Sequence, residues 1–158
     1  MRSGIRCFWV TAALLGSAVL CQAQDSNPKK VQWHVTLTPA NPKPGDDVEV
    51  IFSADISKGW ILYSSDFHLD IGPLPTRFTF DANPALSPVG AIRPVEPKHK
   101  KDRSLGGEYT YFAGHAEFRQ KAKVVAPLNG VSGRIDGQTC FEESGLCELF
   151  REPFSTGT

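Results

Sequence analysis

The sequence predicts an all-β fold, a β-sandwich in a single domain. Three observations carry that expectation. Apolar and polar residues alternate with period two in several separate windows. No window beyond the N-terminal segment has a convincing helical period. The chain's 12 prolines all follow that segment and fall mostly between the alternating windows, where they remove no ladder hydrogen bonds.

In chain order, Val31, Trp33, Val35 and Leu37 alternate with Gln32, His34 and Thr36, the pattern of a half-buried strand. Pro39 to Gly45 breaks regular structure. Val48, Val50, Phe52, Ala54 and Ile56 resume the alternation, and Lys58-Gly59 turns the chain into Trp60–Tyr63. A second break at Gly72-Pro73-Leu74-Pro75 leads to Thr76–Phe80. Prolines 84, 88, 94 and 97 punctuate an irregular region with room for one short strand near Val89–Ile92. Tyr109 and Tyr111 open a strand that turns at Ala113-Gly114. Ala116, Phe118, Gln120, Ala122 and Val124 then alternate with Glu117, Arg119, Lys121 and Lys123. After a turn at Pro127–Gly130, two β-prone runs flank Cys140 and Cys147, and Ser155 to Thr158 is expected to be a frayed tail. Seven or eight short strands separated by turns make a sandwich. Trp33, Trp60, Phe78, Phe80 and Phe118 are expected in its core.

Residues 1–23 have the make-up of a secretory signal peptide. Arg2 and Arg6 precede an apolar run from Phe8 to Leu20, and Cys21-Gln22-Ala23 supplies small residues for cleavage before Gln24. The run is short for a bilayer span. Leu20 is larger than a lipoprotein signal normally tolerates before Cys21. Removing 23 residues from 158 leaves a 135-residue domain, 24–158, with a core of about 31–154. Arg2 and Arg6 leave with the leader, so 15 of the 17 basic residues face 17 acidic ones, a net charge of −2. That balance argues against nucleic-acid binding, which needs a strongly basic surface.

Cys7 and Cys21 also leave, so Cys140 and Cys147 are the two cysteines of the mature chain. Export implies an oxidising compartment in which disulfides persist. The six residues between the two include the turn formers Ser144 and Gly145. Two antiparallel strands with facing Cβ atoms would let the pair form a disulfide. As a staple, such a bridge closes a loop of about eight residues and contributes about 2–3 kcal/mol in the chain-entropy model. As a redox centre, the pair lacks a helix N-terminus to lower a thiol pKa, and Glu142, Glu143 and Glu148 disfavour a thiolate if they stay close. A hairpin tip nevertheless gives an incoming thiolate access to one sulfur. A metal site fits poorly, because this spacing matches no common zinc pattern and His34, His68, His99 and His115 fall in different elements. Asp66, Asp70, His115 and Glu117 form no hydrolase constellation. The run Lys98–Arg103 reads as a basic loop, either solvated or suited to an acidic partner.

The order of motifs resembles the N-terminal periplasmic domain of the thiol:disulfide interchange protein DsbD, and especially its stand-alone secreted relatives. The residues that carry the resemblance are Asp55–Tyr63, Gly72–Phe80, Gly107–Gly114, Ala116–Lys121 and Gly133–Cys140 with Cys147. The resemblance implies an immunoglobulin-like β-sandwich whose Cys140/Cys147 dithiol takes electrons from a membrane electron-transfer domain or thioredoxin-like donor. The electrons would pass to oxidised periplasmic proteins with no dissociable cofactor and no metal. It also implies that Tyr63 lies beside the cysteine pair, the alternative being a sandwich-core tyrosine with a satisfied hydroxyl, and that Asp102–Gly106 corresponds to a loop capping the disulfide. Ser104 or Leu105 stands where the family has an aromatic, so Asp102 and Leu105 are expected to flank a less shielded disulfide. The loop between the cysteines is longer than is usual in the family, and Glu148-Leu149-Phe150 stands where the family often has prolines. The alternative is a non-catalytic secreted binding module with a structural disulfide.

Overall fold

The computed structural model describes residues 29–104 and 107–156. The leader expected over 1–23 and Leu105 both lie outside the described residues. Ten strands form two sheets, and no helix occurs among the described residues. The strands are β1 (Val31–Thr38), β2 (Asp47–Ile56), β3 (Trp60–Tyr63), β4 (Arg77–Phe80) and β5 (Leu86–Pro94). They continue with β6 (Lys98–Asp102), β7 (Gly107–Ala113), β8 (His115–Val124), β9 (Val131–Phe141) and β10 (Cys147–Thr156).

One sheet runs β1-β2-β8-β5 and the other β10-β9-β3-β7-β6, with β4 also on β9. All pairings are antiparallel. The sheets face each other as an immunoglobulin-like sandwich, and the residues expected to alternate inward do so. Val50, Phe52, Ala54, Phe118 and Val124 from one sheet meet Leu62, Phe112, Val131, Ile135 and Phe154 from the other. Phe52 bridges the layers, with ring centroids 4.6 Å from Phe78, 5.9 Å from Phe80 and 4.9 Å from Phe154. Trp33 packs on the same cluster against Phe78, Phe118 and Phe150. The buried amide of Gln120 is satisfied by donating to the carbonyls of Val89, Gly90 and Lys121. Two of those carbonyls belong to the bulge in β5, where Gly90 takes φ 69° and the register with β8 shifts.

β9 is shared unevenly. β10 covers one edge along its whole length, whereas β4 and β3 divide the other edge between them. The chain leaves the sheet after Tyr63 and returns at Thr76, because Pro73 and Pro75 cannot donate to a ladder. The ends of this excursion are pinned together. The Thr76 amide donates to the Ser64 carbonyl at 3.0 Å, and the Thr76 hydroxyl donates to the Tyr63 carbonyl.

Three local expectations need correction. The region punctuated by prolines 84 to 97 holds a nine-residue strand, Leu86–Pro94, not a short one near Val89–Ile92. Lys98–Asp102 is an edge strand paired with β7, not a loop; its lysines are exposed, a placement that discourages another chain from pairing there. Ser155 and Thr156 do not fray, since they pair with Ser132 and Val131, and the Thr156 hydroxyl accepts from the Val131 amide at 3.0 Å. The prolines inside strands obey the expected restriction: Pro88 and Pro94 lie in edge strand β5, and Pro153 in edge strand β10.

Candidate functional site: an asymmetric disulfide on an outer sheet face

Cys140 near the end of β9 and Cys147 at the start of β10 are directly opposed in the ladder and joined by a disulfide. The hairpin between them closes through the Phe141 amide to the Leu146 carbonyl at 2.8 Å and the Gly145 amide to the Phe141 carbonyl at 2.9 Å. Gly145 takes φ 70°, which a glycine adopts without strain. The two sulfurs differ in environment. Cys140 is buried at 4% exposure, whereas Cys147 is exposed. The difference follows from position: Cys140 has strand neighbours on both sides, with Ile61 of β3 opposite, whereas Cys147 lies on the sheet's edge strand.

Both cysteines belong to the face of the sheet turned away from the main core. On that face Cys140 packs in a second cluster with Ile61, Tyr63 and Tyr109, and Phe67 and Leu69 of the β3–β4 excursion pack against it. Tyr63 makes edge contacts with Phe67 at 6.3 Å and Tyr109 at 5.4 Å. Tyr63 is therefore in the same cluster as the buried cysteine. An aromatic does pack here, but Phe67 supplies it from a different loop. Leu69 fills the space a side chain at Gly107 would need.

Asp102 accepts from the Ser104 amide at 2.9 Å and hydroxyl at 2.6 Å, which folds the chain back after β6. Its charge reaches Tyr63. Burial above all, then Tyr109 and Asp102, push the Tyr63 phenol up from 10.0 to about 12. Lys100 is held protonated above its ordinary value, chiefly by its hydrogen bond to Tyr109. The raised Tyr63 pKa means that the fold keeps the proton which the unfolded chain gives up near pH 10. This contribution to stability is complete below pH 10.0 and is lost as pH rises toward about 12. Urea unfolding across that window is expected to show falling stability. Tyr63→Phe should flatten the fall, and an unchanged slope would remove Tyr63 as its source.

Gln138 escaped the sequence reading. It stands two residues before Cys140 on the same face of β9, a relation that strand periodicity does signal. Its carbonyl oxygen accepts from the Leu74 amide at 2.9 Å, which fixes which way the amide points. Its nitrogen is thereby turned to Cys140 and donates to the Sγ at 3.6 Å. A donor so placed stabilises negative charge on that sulfur.

The four histidines do not converge. His34 and His115 flank Asp55 at 3.6 and 3.4 Å on the outer face of the other sheet, His68 is near Asp70, and His99 is near Glu108. Among the described residues, no group of three or more His, Cys, Asp or Glu is placed to hold a metal.

A sandwich whose edge hairpin carries one exposed and one buried half-cystine is suited to thiol–disulfide exchange, which needs in-line access to a single sulfur. The family model of the thiol:disulfide interchange protein DsbD, N-terminal, matches residues 28–156, and the chain belongs to that family, a membership that supports a thiol–disulfide exchange domain with a cysteine pair. Among solved structures it is similar to the N-terminal periplasmic domain of ScsB from Proteus mirabilis, with a TM-score of 0.52 and 14% identity over 84% of this chain. The match spans 48% of that structure, about half its length. It is also similar to the Neisseria meningitidis DsbD N-terminal domain in the reduced form, with a TM-score of 0.46 and 19% identity, over 78% of this chain and 84% of that one. No curated protein matches the chain by sequence.

Proposed function

We propose that the protein is an exported thiol–disulfide exchange module, cleaved after Ala23, with Cys140 and Cys147 as its reacting pair. In this reading it passes reducing equivalents between a membrane or thioredoxin-like donor and oxidised periplasmic proteins. The observation that carries the reading is the asymmetry of the two sulfurs, one exposed at the edge and one buried with a hydrogen-bond donor aimed at it.

The electrons are followed through two steps. A donor thiolate attacks Cys147 Sγ, the donor–Cys147 bond forms, and the Cys147–Cys140 bond breaks. Cys140 leaves with the electron pair as a thiolate and accepts a hydrogen bond from the Gln138 side-chain N–H. The donor's second thiolate then attacks its own sulfur in the mixed disulfide. This releases Cys147 as a thiolate and leaves the donor oxidised and the domain reduced. Toward an oxidised substrate the steps run in reverse order: Cys147 attacks, and Cys140 resolves the mixed disulfide. Burial protects Cys140 from external reagents until it is needed.

The deciding measurement is the reduction potential of the mature domain equilibrated with a thioredoxin-type dithiol. A value between about −200 and −270 mV is the range of proteins that exchange. A value below about −300 mV, with loss of the disulfide affecting only the melting temperature, is the behaviour of a staple and would leave a binding module in its place.

A further inference from the structure

The strand that presents Cys147 continues along the same face with Leu149 and then Arg151. Each is paired across β9: Cys147 with Cys140, Leu149 with Gln138, and Arg151 with Asp136. Asp136 is in turn opposite Arg77 of β4. The result is three successive rows on one surface: the disulfide, a row of Leu149 beside Gln138, and a row reading Arg151, Asp136, Arg77. Leu149 is 71% exposed, and Leu74, whose amide holds Gln138, is 49% exposed. An open groove of about 360 Å³ runs between these leucines and the charged row, lined also by Pro75, Gly137 and Phe150.

The charged row is cationic. Asp136 accepts from Arg134 Nε at 2.8 Å and from Arg151 Nε at 2.7 Å. Those two bonds hold its carboxyl below the usual range, so it stays ionised. With Arg134 from the neighbouring row, three arginines against one aspartate leave a charge of +2. Asp136 meets Arg134 and Arg151 through their Nε atoms, and among the described residues Arg77 has no carboxylate partner. Guanidinium forks in this state suit a further carboxylate.

We propose that this groove receives an extended segment of the partner protein, with an acidic side chain four residues from the partner's reacting cysteine. Apolar side chains between the two lie on Leu149 and Leu74. The proposal rests on the exchange function proposed above. The spacing follows from the ladder, since Cys147 and Arg151 are four residues apart on one strand, about 13 Å. An extended partner segment lying along that strand covers the same distance in the same number of residues. The charge of the groove selects the acid, and the exposed leucines select what comes before it.

The test uses the oxidised domain and short synthetic peptides with one cysteine. Peptides with Asp four residues from the cysteine, on either side, are compared with peptides carrying Lys at that place or Asp only two residues away. The readout is the rate of mixed-disulfide formation with Cys147. The expected result is an advantage of about two- to fivefold for Asp at four residues, closing at high salt, as for an exposed ion pair. The advantage should vanish in the Arg77→Gln/Arg151→Gln variant and persist in Lys98→Gln/Lys101→Gln, which removes positive charge from the opposite edge of the sheet. Equal rates for Asp and Lys peptides, an equal advantage for Asp at two residues, or loss of the advantage only in the lysine variant would each overturn the proposal while leaving exchange intact. If no peptide reacts above background, the exchange reading fails, and the docking proposal fails with it.

Discussion

Cys140→Ala is expected to turn the domain into a trap. With the buried partner gone, the exposed Cys147 attacks an oxidised thioredoxin-type protein or a small disulfide, and no second thiol resolves the adduct. Mass spectrometry should show a covalent complex that accumulates and is released by a strong reductant. Cys147→Ala is expected to do the opposite. The remaining Cys140 is 4% exposed and packed among Ile61, Tyr63 and Tyr109, so adducts should form at least about tenfold more slowly, because exchange requires in-line access. Both variants lose the same cross-link, and with it about 2–3 kcal/mol of stability in the chain-entropy model. Any difference in trapping therefore reflects the position of each sulfur and not the loss of the bridge. Equal trapping by the two variants would remove Cys147 as the entry point for electrons. Gln138→Leu in the wild-type background adds a finer comparison. It removes the donor 3.6 Å from Cys140 and should slow the step in which that sulfur leaves.

Phe52→Ala is expected to be the most damaging single core change, costing about 3–5 kcal/mol in urea unfolding of the oxidised protein. The ring is fully buried on β2 and touches Phe78, Phe80 and Phe154 of the facing sheet. Its removal opens a cavity where the layers meet, and these strands are too constrained by their ladders to collapse into it. Leu149→Ala is the matched control. Leu149 is also a large apolar residue on a strand but is 71% exposed, so the change should stay within about 0.5 kcal/mol. If the two variants unfolded at similar urea concentrations, the assignment of Phe52 to the centre of the core would be wrong. The contrast also separates apolar residues that hold the sandwich together from those available to a partner.

Some of this was legible in the sequence, and the reason is local. A strand's inward and outward sides alternate residue by residue, so Val48 to Ile56 and Ala116 to Val124 revealed both their strands and their buried faces. Cys140 and Cys147 are close enough in sequence that a hairpin alone could join them. The motif order from Asp55 to Cys147 pointed to the family that the matched residues 28–156 establish. What the sequence alone misread was whatever depended on a distant partner. Lys98–Asp102 has no apolar alternation, and it is a strand because β7 offers an edge to pair with. Ser155 and Thr156 looked like an end, and they are ordered because β9 extends back to Val131 beneath them.

The candidate site divides the same way. The identity of its sulfurs could be read from the chain, but their inequality could not. Cys140 is buried because Ile61, 79 residues earlier, pairs beside it, and Cys147 is exposed because β10 is the edge strand of the sheet among the described residues. The direction of the Gln138 amide depends on the backbone of Leu74. The cationic row unites Arg77, Asp136 and Arg151 from three strands. Periodicity fixes which face a side chain takes within its own strand. Register between strands remote in sequence decides which side chains share that face, and only the folded sheets set that register.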